Sequence, residues 1–156
     1  CENNLYATNS YLSARQPHHD IAKKAEGYLI PWVQVDGNDV VAVYEAAKIA
    51  ASRARTGGGP SFIECRTYRW KGHVGPDCDY EKGCRPKEEL EVWLDKCPIK
   101  TFEDFILQNR IVSEIELQGV KEQIANELNE AVSYGRNSPF PDEKELFEDV
   151  YFKAEG

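Results

Sequence analysis

Hydrophobic positions along the chain follow two different rhythms, and the change falls near Pro86. In the front part, Trp32-Val33-Gln34-Val35 is a short β-favouring run stopped by the turn signal Asp36-Gly37. Behind it, Val40, Val43, Tyr44, Ala47, Ala50, Ala51 and Ala54 recur at helical spacing. They predict a helix from Asp39 to about Thr56, with Asp39 as its N-cap. Gly57-Gly58-Gly59-Pro60 ends that helix, and Ser61 to Trp70 then reads as extended and strand-like. Strand, long helix and strand joined by short connections make a βαβ unit, hence a parallel sheet with helices on its faces. Ahead of this unit, Asp20 to Leu29 predicts a short helix capped by Asp20, with Ile21, Ala25 and Tyr28 or Leu29 on one face.

From His73 to Pro86 the chain has no period and many turn formers, so a loop is expected, and loops of that length tend to carry function. Beyond it the pattern is helical throughout. Lys87 to Lys96, Thr101 to Asn109 and Ser113 to about Tyr134 read as helices, the last opened by a Ser113-x-x-Glu116 capping box. Leu117, Val120, Ile124, Leu128 and Ala131 form one apolar stripe on it. Pro139-Phe140-Pro141 interrupts, and a final acidic helix is expected from Asp142 to about Tyr151. The expected organisation is an α/β part over residues 1–86 and a helical extension over residues 87–156.

Composition narrows the partners. The 156 residues can bury a real core, and the net charge of -8 argues against a general nucleic-acid or anionic-membrane surface. Any bound anion must be held locally. The five cysteines, Cys1, Cys65, Cys78, Cys84 and Cys97, show no secreted-type framework, which favours a reducing compartment. No apolar run is long enough to span a bilayer, and no signal-peptide pattern appears at the start.

Several residue groups invite chemical readings. The glycines at 57 to 59 precede a strand and lack a following Lys-Ser/Thr, the reverse of a phosphate loop, so they read as a helix stop. His73, Cys78, Cys84 and Cys97 have zinc-binding residue types without the paired spacing of structural zinc sites, and read better as scattered reduced thiols. His18-His19-Asp20 reads as a helix entry, since neighbours in sequence rarely point together. Asn3-Asn4, ahead of an aromatic, makes a turn on its own account. Arg69-Trp70-Lys71-Gly72-His73 is the strongest candidate, because it stands where a strand's C-terminal end meets a long loop, the ligand-binding edge of open parallel sheets. Its cationic side chains and Gly72 suit an anion brought close to backbone, although a solvated basic strand end has the same composition.

Taken in order, Glu2-Asn3-Asn4-x-Tyr6-Ala7, Val35-Asp36-Gly37-Asn38-Asp39-Val40, Ala42-x-Tyr44-Glu45-Ala46, Gly58-Gly59-Pro60 and Glu64-x-Arg66-Thr67-Tyr68-Arg69-x-x-Gly72-His73 carry a family resemblance. The chain resembles the alpha subunit of thiamine-diphosphate-dependent 2-oxo acid dehydrogenases, including the pyruvate, branched-chain and acetoin members. The likeness runs on through Lys87-Glu88-Glu89 and Pro98-Ile99 into the C-terminal helices. Each motif alone is weak, whereas their order and spacing are specific. The resemblance implies the C-terminal part of a thiamine-diphosphate-binding fold followed by a helical extension.

By the same resemblance, Asn4 is the side-chain ligand of a magnesium ion and Tyr6 supplies a backbone carbonyl. Magnesium's preference for hard oxygen donors and diphosphate suits such a set. His73 matches the family's active-site histidine beside the diphosphate and substrate channel, able to stabilise a carboxylate or developing anion. Arg69 matches the basic residue supporting that loop. The family's further ligand comes from a Gly-Asp-Gly motif, which this sequence does not contain, so the chain is expected to be the C-terminal portion of a longer subunit. The implied activity is decarboxylation of a 2-oxo acid, or cleavage of acetoin, with transfer of the acyl group to a lipoyl carrier on a second component. The implied partners are a beta subunit in an α2β2 assembly and a lipoyl-bearing acyltransferase. The alternative is a truncated, non-catalytic module acting only in subunit association.

Two departures from the family pattern stand out. Val74 occupies the place of the phosphorylatable Ser of mitochondrial members, so no kinase switch is expected there. The loop from Gly75 to Arg85 lacks the usual Asp-Pro-x-x-Tyr-Arg form. A prokaryote-like, cytoplasmic enzyme is the expected source class.

Overall fold

The structure, a computed structural model, describes residues 1–148, 150 and 151, which divide into one unit over Cys1–Asn109 and another from Arg110 onward. In the first unit, β1 (Glu2–Asn3), β5 (Phe62–Arg66) and β4 (Trp32–Asp36) lie side by side in that order, all parallel. A small antiparallel ribbon, β2 (Tyr6–Ala7) with β3 (Ser10–Tyr11), follows β1. β4, α1 (Val40–Arg55) and β5 are the expected βαβ unit. The α/β class with a parallel sheet and flanking helices is therefore observed. Its register brings Asn3, Asp36 and Arg66 level at the C-terminal edge of the sheet, where the strands hand over to loops.

At that edge Gly37 is packed against β5. A Cβ there would lie 2.8 Å from the Arg66 carbonyl oxygen, which also accepts the Gly37 N–H at 2.7 Å. Asp39 caps α1 as expected, its Oδ1 accepting from the Val41 and Ala42 N–H groups at 3.0 Å each. The helix turns Ala46 inward with Ala42, Val43, Ala50 and Ala51 partly covered, while Val40, Tyr44, Ala47 and Ala54 stay exposed. Only part of the predicted stripe therefore packs within this chain.

The opening segment is more than a turn. Its backbone adds to β5 as a short parallel strand, with Cys65 N–H donating to the Cys1 carbonyl at 2.8 Å and Thr67 N–H to the Asn3 carbonyl at 3.0 Å. The turn comes immediately after it. A single sequence window cannot show strand pairing with a segment sixty residues away.

The expected helix at 20–29 is a 3-10 helix over Ala22–Tyr28, and Asp20 does not cap it. Asp20 instead pairs with Arg66 at 3.1 Å, and the Ala22 N–H donates to Glu64 Oε2 at 2.7 Å. With a carboxylate from β5 serving the helix start, the chain turns at the tighter three-residue period that buries Ala22 and Ala25 together. Tyr28 and Leu29 are exposed.

Helix α2 (Lys87–Leu94) follows the long loop, and α3 (Pro98–Gln108) begins at Pro98, three residues before the expected start. Proline suits the first turn because its missing N–H has no intrahelical partner there. In the second unit, α4 (Glu114–Asn137) has the expected Ser113–Glu116 capping box, and its Val120, Ile124 and Leu128 remain exposed. The final acidic segment is a 3-10 turn, Glu143–Phe147, shorter than expected, and Asp149 in the expected helix lies outside the described residues. Among the described residues no helix is long and apolar enough to cross a membrane.

Candidate functional site

Asn3, the last residue of β1, and Asn4 just beyond it stand at the sheet's C-terminal edge in different surroundings. Asn3 is buried and donates to Glu64 Oε1 at 2.6 Å. Asn4 is only partly covered, and its Oδ1 accepts the Tyr6 N–H at 3.0 Å. An amide oxygen has two lone pairs, so this bond leaves one for a ligand. Just beyond them, Leu5 is held at a φ of 69° and Thr8 at 53°, left-handed conformations that non-glycine residues rarely adopt and that concentrate at functional sites.

The β2–β3 ladder decides where Tyr6's carbonyl is spent. Leu12 N–H donates to the Leu5 carbonyl at 2.8 Å, which makes the facing pair Tyr6–Tyr11 the non-hydrogen-bonded kind. Tyr6's backbone N–H and carbonyl then both face away from β3, and the N–H meets Asn4 there. An amide oxygen and a carbonyl oxygen on one strand edge are hard donors of the kind magnesium selects. The residues present thus fit the implied divalent cation as two of its oxygen ligands.

Arg69 joins this edge to the long loop. Its Nη2 donates to the Thr8 carbonyl at 3.1 Å and to Asp79 Oδ2 at 2.9 Å, and its Nε donates to the Lys71 carbonyl at 3.0 Å. His73 is exposed, with Nδ1 3.5 Å from Arg69 Nη1. Facing that guanidinium with Nδ1 as acceptor leaves Nε2–H as the donor.

The loop is pinned from inside by Asp79 and Arg85, both buried. Arg85 Nε lies 3.2 Å from Asp79 Oδ2, and its Nη1 donates to the Arg69 carbonyl at 3.0 Å. Gly72 permits the fold-back, since a Cβ there would sit 3.0 Å from Asp79 Oδ1 and 3.1 Å from the Asp77 carbonyl oxygen. What approaches Gly72 closely is thus the loop's own Asp77 and Asp79. The Arg85 guanidinium stacks over the Tyr6 ring at 4.1 Å and lies 5.1 Å from that of Tyr68. Tyr6 Oη donates to Glu89 Oε2 on α2 at 2.6 Å.

Glu64 is fully buried beneath the edge. Burial opposes its ionisation, but hydrogen bonds from Asn3, the Ala22 N–H and Gln34, together with the Arg66 charge, outweigh burial and hold its carboxyl below its ordinary value. Burial, then hydrogen bonding to Glu89, pushes the Tyr6 phenol strongly upward.

The structure therefore gathers Asn4, Tyr6, Arg69 and His73 around one sheet edge, linked through Thr8 and Arg85. Residue-by-residue reasoning assigned no role to Glu64, Asp79, Arg85 or Glu89. The available signal was a charged side chain in an apolar strand for Glu64 and acid–base residues in a loop of turn formers for Asp79 and Arg85, while Glu89 reads as one more solvated charge on a helix. His18 and His19 are exposed, His19 standing edge-on to Tyr11 at 6.3 Å. Among the described residues no three His, Cys, Asp or Glu side chains gather in a metal-holding group, and the cysteines are free thiols.

Comparison with known proteins gives this geometry a context. The family model described as "Dehydrogenase E1 component" matches residues 1–144. The chain is 37% identical over 154 residues to the alpha subunit of acetoin:2,6-dichlorophenolindophenol oxidoreductase from Bacillus subtilis (strain 168), covering 99% of this chain and 45% of that protein. It is 38% identical over 145 residues to the pyruvate dehydrogenase E1 component subunit alpha of Porphyra purpurea, covering 93% and 41%. Over 156 residues it is 37% identical to the chloroplastic pyruvate dehydrogenase E1 component subunit alpha-3 of Oryza sativa subsp. japonica, covering 99% and 36%. The chain thus spans less than half the length of these relatives.

Proposed function

The chain belongs to the dehydrogenase E1 component family, and from that premise we propose that it carries the cation-binding and histidine-bearing edge of an alpha subunit. In this reading the complete enzyme binds thiamine diphosphate with Mg2+ and acts on a 2-oxo acid or on acetoin, passing the acyl group to a lipoyl carrier. Its partners are a beta subunit, in an α2β2 assembly, and a lipoyl-bearing acyltransferase. The free thiols accord with a reducing, cytoplasmic setting.

The observation that carries the reading is that Asn4 Oδ1 accepts the Tyr6 N–H on the same edge that the ladder-free Tyr6 carbonyl faces, with Arg69 joining this edge to His73. When bound, thiamine diphosphate supplies the electron sink for breaking the bond next to the substrate carbonyl. Asn4 and Tyr6 hold the cation with oxygen ligands. Arg69 contributes positive charge and anchors the loop through Asp79, while His73 offers an Nε2–H donor toward an anionic substrate group. Aminopyrimidine activation falls to the beta subunit in this scheme.

The test is made in the assembled enzyme. Asn4→Ala is expected to abolish Mg2+-dependent binding of thiamine diphosphate in calorimetry, and His73→Ala to spare binding while lowering turnover. Unaltered binding in the Asn4 variant sinks the assignment. A second reading, a module for subunit association alone, draws on the exposed apolar stripe of α4. Turnover that depends on Asn4 and His73 decides against it.

A further inference from the structure

Glu89 stands on α2, remote in sequence from the segment that carries the proposed ligands, and reaches it through the Tyr6 side chain. The 2.6 Å bond from Tyr6 Oη to Glu89 Oε2 lies in the range of charge-assisted O–H···O− bonds, which are roughly twice as strong as neutral ones. Tyr68 Oη stands 3.5 Å from the same oxygen. Around the ring, Arg85 lies over one face at 4.1 Å, and Tyr11 and Tyr68 meet it edge-on at 5.1 and 6.3 Å. The Tyr6 backbone is held at its other end by Asn4 Oδ1, between the left-handed Leu5 and Thr8. A residue clamped at both hydroxyl and backbone N–H has little freedom left for its carbonyl.

We propose that Glu89 is a positioning residue for the cation site: by holding the Tyr6 hydroxyl it fixes the direction of the Tyr6 carbonyl, and thereby tunes the affinity for a divalent cation. The proposal rests on the reading of Asn4 and Tyr6 as ligands. It assigns α2, which contributes no ligand, a direct effect on metal binding. Groups that orient a metal's ligands typically change affinity when removed, and this one acts through a single identifiable hydrogen bond.

Mg2+ titrations of the assembled enzyme in the presence of thiamine diphosphate, followed by calorimetry, test it. Glu89→Gln and Tyr6→Phe are each expected to weaken apparent Mg2+ affinity about 10- to 100-fold. The double variant should be no weaker than either single one, because both break the same bond. Glu88→Gln, an exposed neighbour on the same helix, should leave affinity unchanged. A merely structural Glu89 predicts a lower melting temperature with unaltered Mg2+ affinity below it, and that result overturns the proposal, as do additive losses in the double variant. Asn4→Ala separates the two levels. Mg2+ dependence that survives Asn4→Ala removes the ligand assignment itself, whereas dependence lost there but intact in both Glu89→Gln and Tyr6→Phe overturns only the positioning role.

Discussion

Replacing Glu64 by Gln removes one charge and almost no volume, yet it should loosen the start of the 3-10 helix far more than a surface change would. Both carboxylate oxygens are occupied by donors: Asn3 Nδ2 at 2.6 Å on Oε1 and the Ala22 N–H at 2.7 Å on Oε2. A carboxamide has a single acceptor oxygen, so one of these donors must face an NH2 group in the variant. Losing one hydrogen bond to a charged acceptor costs about 1.5–3 kcal/mol. That corresponds to local opening roughly 10- to 100-fold more frequent, since about 1.4 kcal/mol is a factor of ten. Hydrogen–deuterium exchange of the peptide spanning residues 20–30, read by mass spectrometry on the complete subunit, should show it. The effect also has a pH signature. The Glu64 carboxyl is held below its ordinary value in the folded chain, so its contribution is present above the unfolded value and is lost as pH falls through the folded one. Protection in the wild type should therefore decline on strong acidification, and the Gln variant should lack that decline. Equal exchange rates and equal acid profiles in the two proteins would refute the assignment of Glu64 as an ionised anchor.

Two further outcomes follow from the same edge. Asp79→Asn weakens the contacts to Arg69 at 2.9 Å and Arg85 at 3.2 Å while leaving Arg85 buried; breaking a buried pair costs about 3–5 kcal/mol, and limited proteolysis should then cut the 73–86 loop first. Gly37→Ala forces a Cβ to within 2.8 Å of the Arg66 carbonyl, an overpacking that should cost about 1–3 kcal/mol and lower the melting temperature, whereas Gly27→Ala, with nothing within 4 Å, should not.

Much of the frame was legible in local sequence because its causes are local. Asp39 caps α1 with a side chain three residues or fewer from the N–H groups it serves, and Ser113 with Glu116 does the same for α4. The β4–α1–β5 unit follows from apolar spacing and the glycine stop, and those elements alone place Arg69 to His73 at a strand's ligand-bearing end. The ordered motifs, compared with known families, likewise singled out Asn4 and Tyr6.

Contacts between distant segments decided the rest. Asn3 becomes a strand residue because β5 lies beside it, and the 3-10 helix at residues 22–28 is anchored at its first N–H by Glu64 of β5, some forty residues on, where the sequence offered Asp20. Asp79, Arg85 and Glu89 look like solvated charges when read in order, and only the returning loop and α2 bring them under Arg69 and Tyr6. Sequence by itself determined the β4–α1–β5 frame and the helices behind the loop, and so placed Arg69 to His73 beyond the C-terminal end of β5. Tertiary structure alone decided which charges are buried, because burial depends on what arrives from elsewhere in the chain, and a buried carboxylate or guanidinium needs a partner close by in space.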